Sequence, residues 1–365
     1  MPTRPAEASG APGAPSGLAR ISLAVYALLV VYATLHPLEG WRDHGQNPFD
    51  YLGAPWPKHV VRFDVAANAA GYALLGVLCV AALYPRLRGW RAAAIALAAG
   101  TLLSLGLEAA QSYLPARIAS NLDVLVNVAG ACVGALAGVR LAPWLLEHGP
   151  YRRWRAAAFL PGPGIDFGLV LLALWLFVQL NPATLLFGAG DLRDLVVAPA
   201  VRSRGPAYFA SIEATTAAAN LVVVALLLSS LARAGAPVRR AIVALAVAAL
   251  VVKSVAFAAT RDDAFLWLTT GAQEGLVAGL VLALVAVSLP RTARLVLAAM
   301  LIMAATVLVN LAPTNPYFTA TLRAWQQGHF LNFNGLTRLV STLWPFLALG
   351  YLIYLASRRK QGSEE

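Results

Sequence analysis

The sequence predicts an all-α polytopic transmembrane bundle of about ten helices, and three observations predict it. Of 365 residues, 59% are hydrophobic, only 12% are charged, and mean hydropathy is +0.68. A soluble domain carries about twice that charged fraction. Second, the apolar residues form continuous runs of about 18 or more, the length that crosses a bilayer as a helix. They do not alternate, which excludes a β-barrel. Third, the basic residues sit between the runs. With the N-terminus placed inside, alternate connections carry 17 Lys and Arg against 9 on the other side. That bias places both termini in the cytoplasm. The same distribution turns the net charge of +11 from a nucleic-acid signal into a topology signal.

Residues 1–19, rich in Pro, Ala, Gly and Ser, read as a disordered cytoplasmic tail. The first span, 20–36, lacks a small-residue cleavage site and reads as an uncleaved helix. Spans 64–84, 91–113 and 121–143 complete a four-helix membrane domain, 20–146. Segment 147–164 reads as a cytoplasmic linker, with Tyr151-Arg-Arg-Trp-Arg155 suited to an anionic headgroup surface and Pro161-Gly-Pro-Gly164 as a break. Spans 165–181, 208–231, 239–259 and 264–289 form a second four-helix domain, 165–289. Spans 293–311 and 336–357 form a C-terminal extension, 290–365, ending in a cytoplasmic tail. Between them, Phe318, Leu322 and Trp325 have the spacing of a short helix lying on the outer membrane surface.

The halves echo one another at a shift of 145 residues. Leu35-His36-Pro37 corresponds to Leu180-Asn181-Pro182, Gly130 and Gly134 to Gly275 and Gly279, Asn68 to Glu213, and Glu108 to Lys253. Four spans separate the copies, so they would be a parallel internal repeat.

Polar groups persist in three adjacent spans: Asp64-x3-Asn68, Glu108-x2-Gln111 followed by Arg117, and Asp123-x3-Asn127-x2-Gly130-x3-Gly134. Ionisable groups in apolar segments are costly, face the bundle interior and mark sites. Spacings of three and four put each pair on one helix face. The topology gathers all of them at the outer end. Arg117, between Glu108 and Asp123, is expected to join them in an Arg–carboxylate network. The competing reading is architectural: Asp123 or Asn121 as a helix cap, and the rest as interhelical glue. Gly130, Gly134 and Gly138 form a small-residue stripe for close packing, within the fold or in a homo-oligomer, and Gly275 and Gly279 form a second. Glu213 and Lys253 are expected to form a structural ion pair in a decayed second repeat.

No cofactor or metal is expected. His36, His44 and His59 crowd the first outer loop with Glu39, Asp43 and Asp50, but their spacings match no zinc pattern. Cys79 and Cys132 read as small buried apolar residues. No serine elbow or paired-carboxylate hydrolase motif is present.

These motifs resemble the VanZ-like family of bacterial membrane proteins. The resemblance rests on Asp64-x3-Asn68, Glu108-x2-Gln111, Arg117 and Asp123-x3-Asn127-x2-Gly130-x3-Gly134 and covers roughly residues 25–143. The remaining spans look like the C-terminal extension of longer members. The resemblance implies a cell-envelope protein of the bacterial cytoplasmic membrane, in a family whose founding member is associated with teicoplanin resistance; it implies a site without a reaction. The expected function is an outward-facing polar pocket that binds or alters a membrane lipid or envelope precursor, with Arg117 on its anionic part. A membrane enzyme using Glu108 or Asp123 as general base, and a small-solute transporter, are the rivals.

Overall fold

The computed structural model describes residues 15–43, 45, 47–193, 204–260, 263–313 and 331–361. The expected surface helix at Phe318, Leu322 and Trp325, His44, and most of the N-terminal tail lie outside them. The described residues fall into two compact units, divided between Arg155 and Ala156. The secondary structure is helical, and eight helices are long and apolar enough to cross a membrane.

The first unit contains α1 (Gly17–Leu35), α2 (Arg62–Leu83), α3 (Gly89–Gln111) and α4 (Asn121–Pro143). The connections between them are short, so the helices alternate in direction. One end of the unit therefore collects the end of α1, the start of α2, the end of α3 and the start of α4. We call it the polar end. Ser16 caps α1 by accepting from the Ala19 N–H at 3.2 Å. Ser120 does the same for α4, accepting from Asp123 N–H at 3.4 Å. That corrects the expected cap at Asp123 or Asn121: the serine hydroxyl is short enough to reach back, and Asp123 is left free to face Asn68.

The α2–α4 pair is the tightest in the unit, and glycine explains why. A Cβ on Gly134 would lie 1.9 Å from the Ala73 carbonyl oxygen, and one on Gly130 would lie 2.4 Å from that of Ala69. Gly76 returns the contact, 2.6 Å from the Ala131 carbonyl oxygen. Gly138 faces Val77 and Val80 of α2. The stripe is thus spent within the unit, backbone against backbone. At the opposite end Tyr84 hydrogen-bonds Glu147, which also meets Arg88 at 3.6 Å.

The expected linker is not wholly irregular. It holds a nine-residue helix, α5 (Pro150–Ala158), started by Pro150, whose missing N–H costs nothing in a first turn.

The second unit contains α6 (Pro163–Val178), α7 (Pro206–Leu231), α8 (Val238–Thr260), α9 (Thr270–Ala286), α10 (Arg291–Leu311) and α11 (Leu331–Gln361). Its hub is α7, whose most apolar window is 78% buried, against 33% for α2 and for α8. Two helices are shorter than their predicted spans. At 16 and 17 residues, α6 and α9 are about 25 Å long, less than a bilayer core. α9 begins only after Thr269 because that hydroxyl caps it through Ala272 N–H. α6 gives way to a buried non-helical segment, 179–193. Its backbone groups are paired from within the protein, as buried non-helical chain requires. Gln179 Oε1 accepts from Phe187 N–H at 3.0 Å, and the Trp175 indole donates to Phe187 O at 3.2 Å. Asn310 accepts from Leu192 N–H and donates to Gly190 O, both at 2.7 Å.

Candidate functional site

Most of the predicted polar groups of the first unit meet at its polar end. Asp64 stands in the first turn of α2 and is exposed. One turn on, Asn68 donates from Nδ2 to Asp123 Oδ1 at 3.2 Å, joining α2 to α4. Glu108, in the last turn of α3, is only 3% exposed. Its Oε2 accepts from the Ser120 N–H at 2.9 Å, which closes the turn into α4. Its Oε1 accepts no hydrogen bond among the described residues. One turn deeper on α3, Ser104 Oγ accepts from Asn127 Nδ2 at 3.0 Å. Asn127 is 5% exposed, and its Oδ1 is buried without a donor among the described residues. Tyr72 lies close to both Ser104 and Glu108.

Arg117 and Gln111 do something else. The expected contact of Arg117 with Glu108 or Asp123 is not formed among the described residues. The guanidinium donates from Nε to His36 O at 2.8 Å and from Nη2 to Ala33 O at 3.3 Å. Gln111 Nε2 donates to Thr34 O at 2.9 Å. All three acceptors belong to the end of α1, where main-chain carbonyls lack helical partners and carry the negative end of the dipole. A guanidinium satisfies two of them and their partial charge together. Glu108 acts on Arg117 across space only. Burial pulls the Arg117 guanidinium below its ordinary value and Glu108 opposes this.

A cavity of about 200 Å³ lies among the connections of the same unit, lined by Asp43, Asn47, Asp50, Tyr51, Ser112 and Tyr113 among others, and by none of the polar-cluster residues. Tyr51 connects the two: it lines the cavity, donates to Leu105 O at 3.3 Å, and burial together with the Glu108 charge raises its phenol above the ordinary value. The phenol therefore remains a donor at neutral pH. Of the loop histidines, His36 Nδ1 pairs with the Tyr32 hydroxyl at 3.1 Å and His59 is exposed. Among the described residues no three His, Cys, Asp or Glu are grouped to hold a metal.

In the second unit the expected Glu213–Lys253 ion pair is replaced by separate partners. Lys253, 1% exposed, donates to Asn181 O at 2.7 Å, Thr184 O at 2.6 Å and Thr184 Oγ1 at 3.1 Å. Three acceptors saturate an ammonium. Glu213 Oε2 accepts from the Thr269 hydroxyl at 2.7 Å. The turn after α6 leaves several carbonyls pointing at one place, and they outcompete a carboxylate on a neighbouring helix. The glycines Gly275 and Gly279 of α9 press on Ala214 and Ala218 of α7.

Sequence reasoning missed Ser104, Ser120, Tyr51 and the segment 179–193. Ser120 had a signal, standing directly before an apolar run with an acidic residue in its first turn. The segment had only Leu180-Asn181-Pro182, which marks the end of a span and carries no sign of how the chain beyond it folds.

Residues 22–142 match the family model described as VanZ/LLP1. That range encloses α2, α3 and α4, nearly all of α1, and every residue of the polar cluster. No curated protein and no solved structure matches the chain.

Proposed function

We propose, from the premise that this chain is a VanZ-like protein through residues 22–142, that its first unit binds a cell-envelope component, a lipid or a wall precursor, in the pocket at its polar end. One observation carries the reading. Glu108 and Asn127 are buried in apolar helices, and the Asn127 Oδ1 is buried with no donor among the described residues. A buried orphan costs about 1–3 kcal/mol, so it calls for an explanation. A buried oxygen left without a donor is one that a ligand can complete.

The remaining contacts supply rigidity. Asn68–Asp123 and Glu108–Ser120 tie α2, α3 and α4 together, and Arg117 and Gln111 fix α1 to the same end. Arg117 is in this reading a positioning residue and not the contact to an anion. The family supports an envelope setting, and the basic-residue bias directs the polar end outward, toward the wall.

Native mass spectrometry of detergent-purified protein tests the reading. Wild type should retain a bound envelope component that Glu108→Ala loses while its expression and melting temperature hold. Retention unchanged in Glu108→Ala, or loss only alongside unfolding, would return the cluster to architecture.

A further inference from the structure

We propose that a groove on the second unit, between α6 and α11, holds an acidic phospholipid, with an acyl chain along its wall and the phosphate on Arg358 and Arg291. The groove encloses about 530 Å³ and is walled by Gly164, Phe167, Phe346, Gly350, Tyr351 and Tyr354 among others. Its wall is held in place by the protein itself. Tyr351 donates to the Gly164 carbonyl at 2.7 Å, stacks on Tyr354 with ring centroids 6.1 Å apart, and tilts against Phe167 at 5.6 Å. Glycine keeps it open: a Cβ on Gly350 would meet nothing within 4 Å. Phe346, Gly350 and Tyr354 are exposed on a helix apolar enough to cross a membrane, so the groove faces acyl chains.

One end of the groove is cationic. Arg358, one turn beyond Tyr354, is exposed. Its guanidinium lies 5.7 Å from the centre of the Tyr354 ring, and its Nη1 donates to the Tyr354 hydroxyl at 3.1 Å. Arg291, at the start of α10, is exposed and close enough to act electrostatically on Tyr351. It makes no hydrogen bond or ion pair among the described residues. Neighbouring arginines are spent on the protein, Arg239 on Leu284 O and Ser288, and Arg294 on Ser229. Asp166 is the carboxylate that also acts on Tyr351, so the two cations exceed it. An apolar wall ending in aromatic rings and unspent guanidinium groups matches a phosphodiester carrying acyl chains. A second copy of the chain fits less well. It would stand the same way up in the membrane and, across a two-fold axis, set Arg291 and Arg358 against their own counterparts.

Native mass spectrometry of the full-length protein tests this with two probes, phosphatidylglycerol and phosphatidylcholine carrying the same acyl chains. Wild type should retain phosphatidylglycerol about tenfold better. Arg358→Gln and Arg291→Gln should each lower its retention about fivefold and leave phosphatidylcholine unchanged. Gly350→Leu, which fills the groove, should lower retention of both lipids. Gly350→Ala gains similar helix propensity without filling it and should bind as wild type. Melting temperatures without added lipid report folding, and if Gly350→Leu is unstable the two exposed arginines decide alone. Equal retention of the two lipids, or a phosphatidylglycerol preference that survives loss of both arginines, would overturn the proposal. So would unchanged retention in a folded Gly350→Leu. A wild-type dimer that Gly350→Leu dissociates would also overturn it and make a second copy the occupant.

Discussion

Lys253 is buried and held by three oxygens of the turn after α6. Replacing it with methionine keeps the volume and removes three donors, leaving the Thr184 carbonyl without its donor and the Asn181 carbonyl with only those of Thr184. The expected loss is about 3 kcal/mol, the cost of orphaning buried groups around a removed charge. A melting temperature for Lys253→Met within error of wild type would show that water replaces the ammonium. Asp191 offers a pH-dependent counterpart outside the helices. Burial raises its carboxyl, but hydrogen bonds from Arg193, at 2.9 Å from Nε and 2.5 Å from Nη2, outweigh burial and hold it below its ordinary value of 3.8. A depressed carboxyl stabilises the fold above its unfolded value and loses that contribution as pH falls through the folded one. Wild type should therefore melt above Asp191→Asn at pH 7, and the gap should close below about pH 4. A gap that widens on acidification would reverse the sign. The residues also show where sequence reading stops. The identities of Glu108, Asn127 and Arg117 were legible because polar side chains are rare in apolar runs. Their partners were not, because a guanidinium chooses between a carboxylate and main-chain carbonyls according to where a loop delivers it, and spacing does not encode that.

At the level of elements, helix existence was legible throughout and helix ends were not. All ten predicted spans contain a helix among the described residues, since unbroken apolar runs leave no alternative in lipid. α6 stops at Val178 because Gln179 turns its side chain to Phe187, a tertiary contact 8 residues away. The glycine stripes were legible as packing devices, and their geometry sharpens the expectation. Gly134→Ala places a methyl against the backbone of α2, which cannot move aside as a side chain would. It should cost about 2–3 kcal/mol, the range of overpacking. Gly106→Ala is the control: exposed on α3 with nothing within 4 Å of the added methyl, it should stabilise by about 0.5–1 kcal/mol through helix propensity. Thermal unfolding of both variants in one detergent separates close packing from any general effect of removing glycine. Equal effects would mean that the α2–α4 contact relaxes freely.

For the molecule as a whole, the two units invite comparison. At one shift of 145 residues the two α9 glycines fall on alanines of α7 that correspond to those under the α4 glycines of the first unit. Both units also deliver a cation to the carbonyls that come after their first helix, Arg117 to His36 and Lys253 to Asn181. A parallel internal repeat, the expectation from sequence, would account for these correspondences. It predicts that equivalent loops face the same side of the membrane. Glu39 lies in the connection between α1 and α2 and Arg86 in that between α2 and α3, and both are exposed. With the basic bias setting orientation, a membrane-impermeant maleimide applied to whole cells should label Glu39→Cys and spare Arg86→Cys, which becomes reactive only after permeabilisation. Unsubstituted protein sets the background, which buried Cys79 and half-buried Cys132 keep low. The same loops of the second unit, reached through exposed Arg204→Cys and Arg233→Cys, should behave in the same sense. If Arg86→Cys labels first, the polar end opens to the cytoplasm, and its partner must be sought among components of the inner leaflet. If the two units label in opposite senses, the repeat is inverted, and the match between the glycine–alanine contacts is convergence on a common way of packing two helices closely.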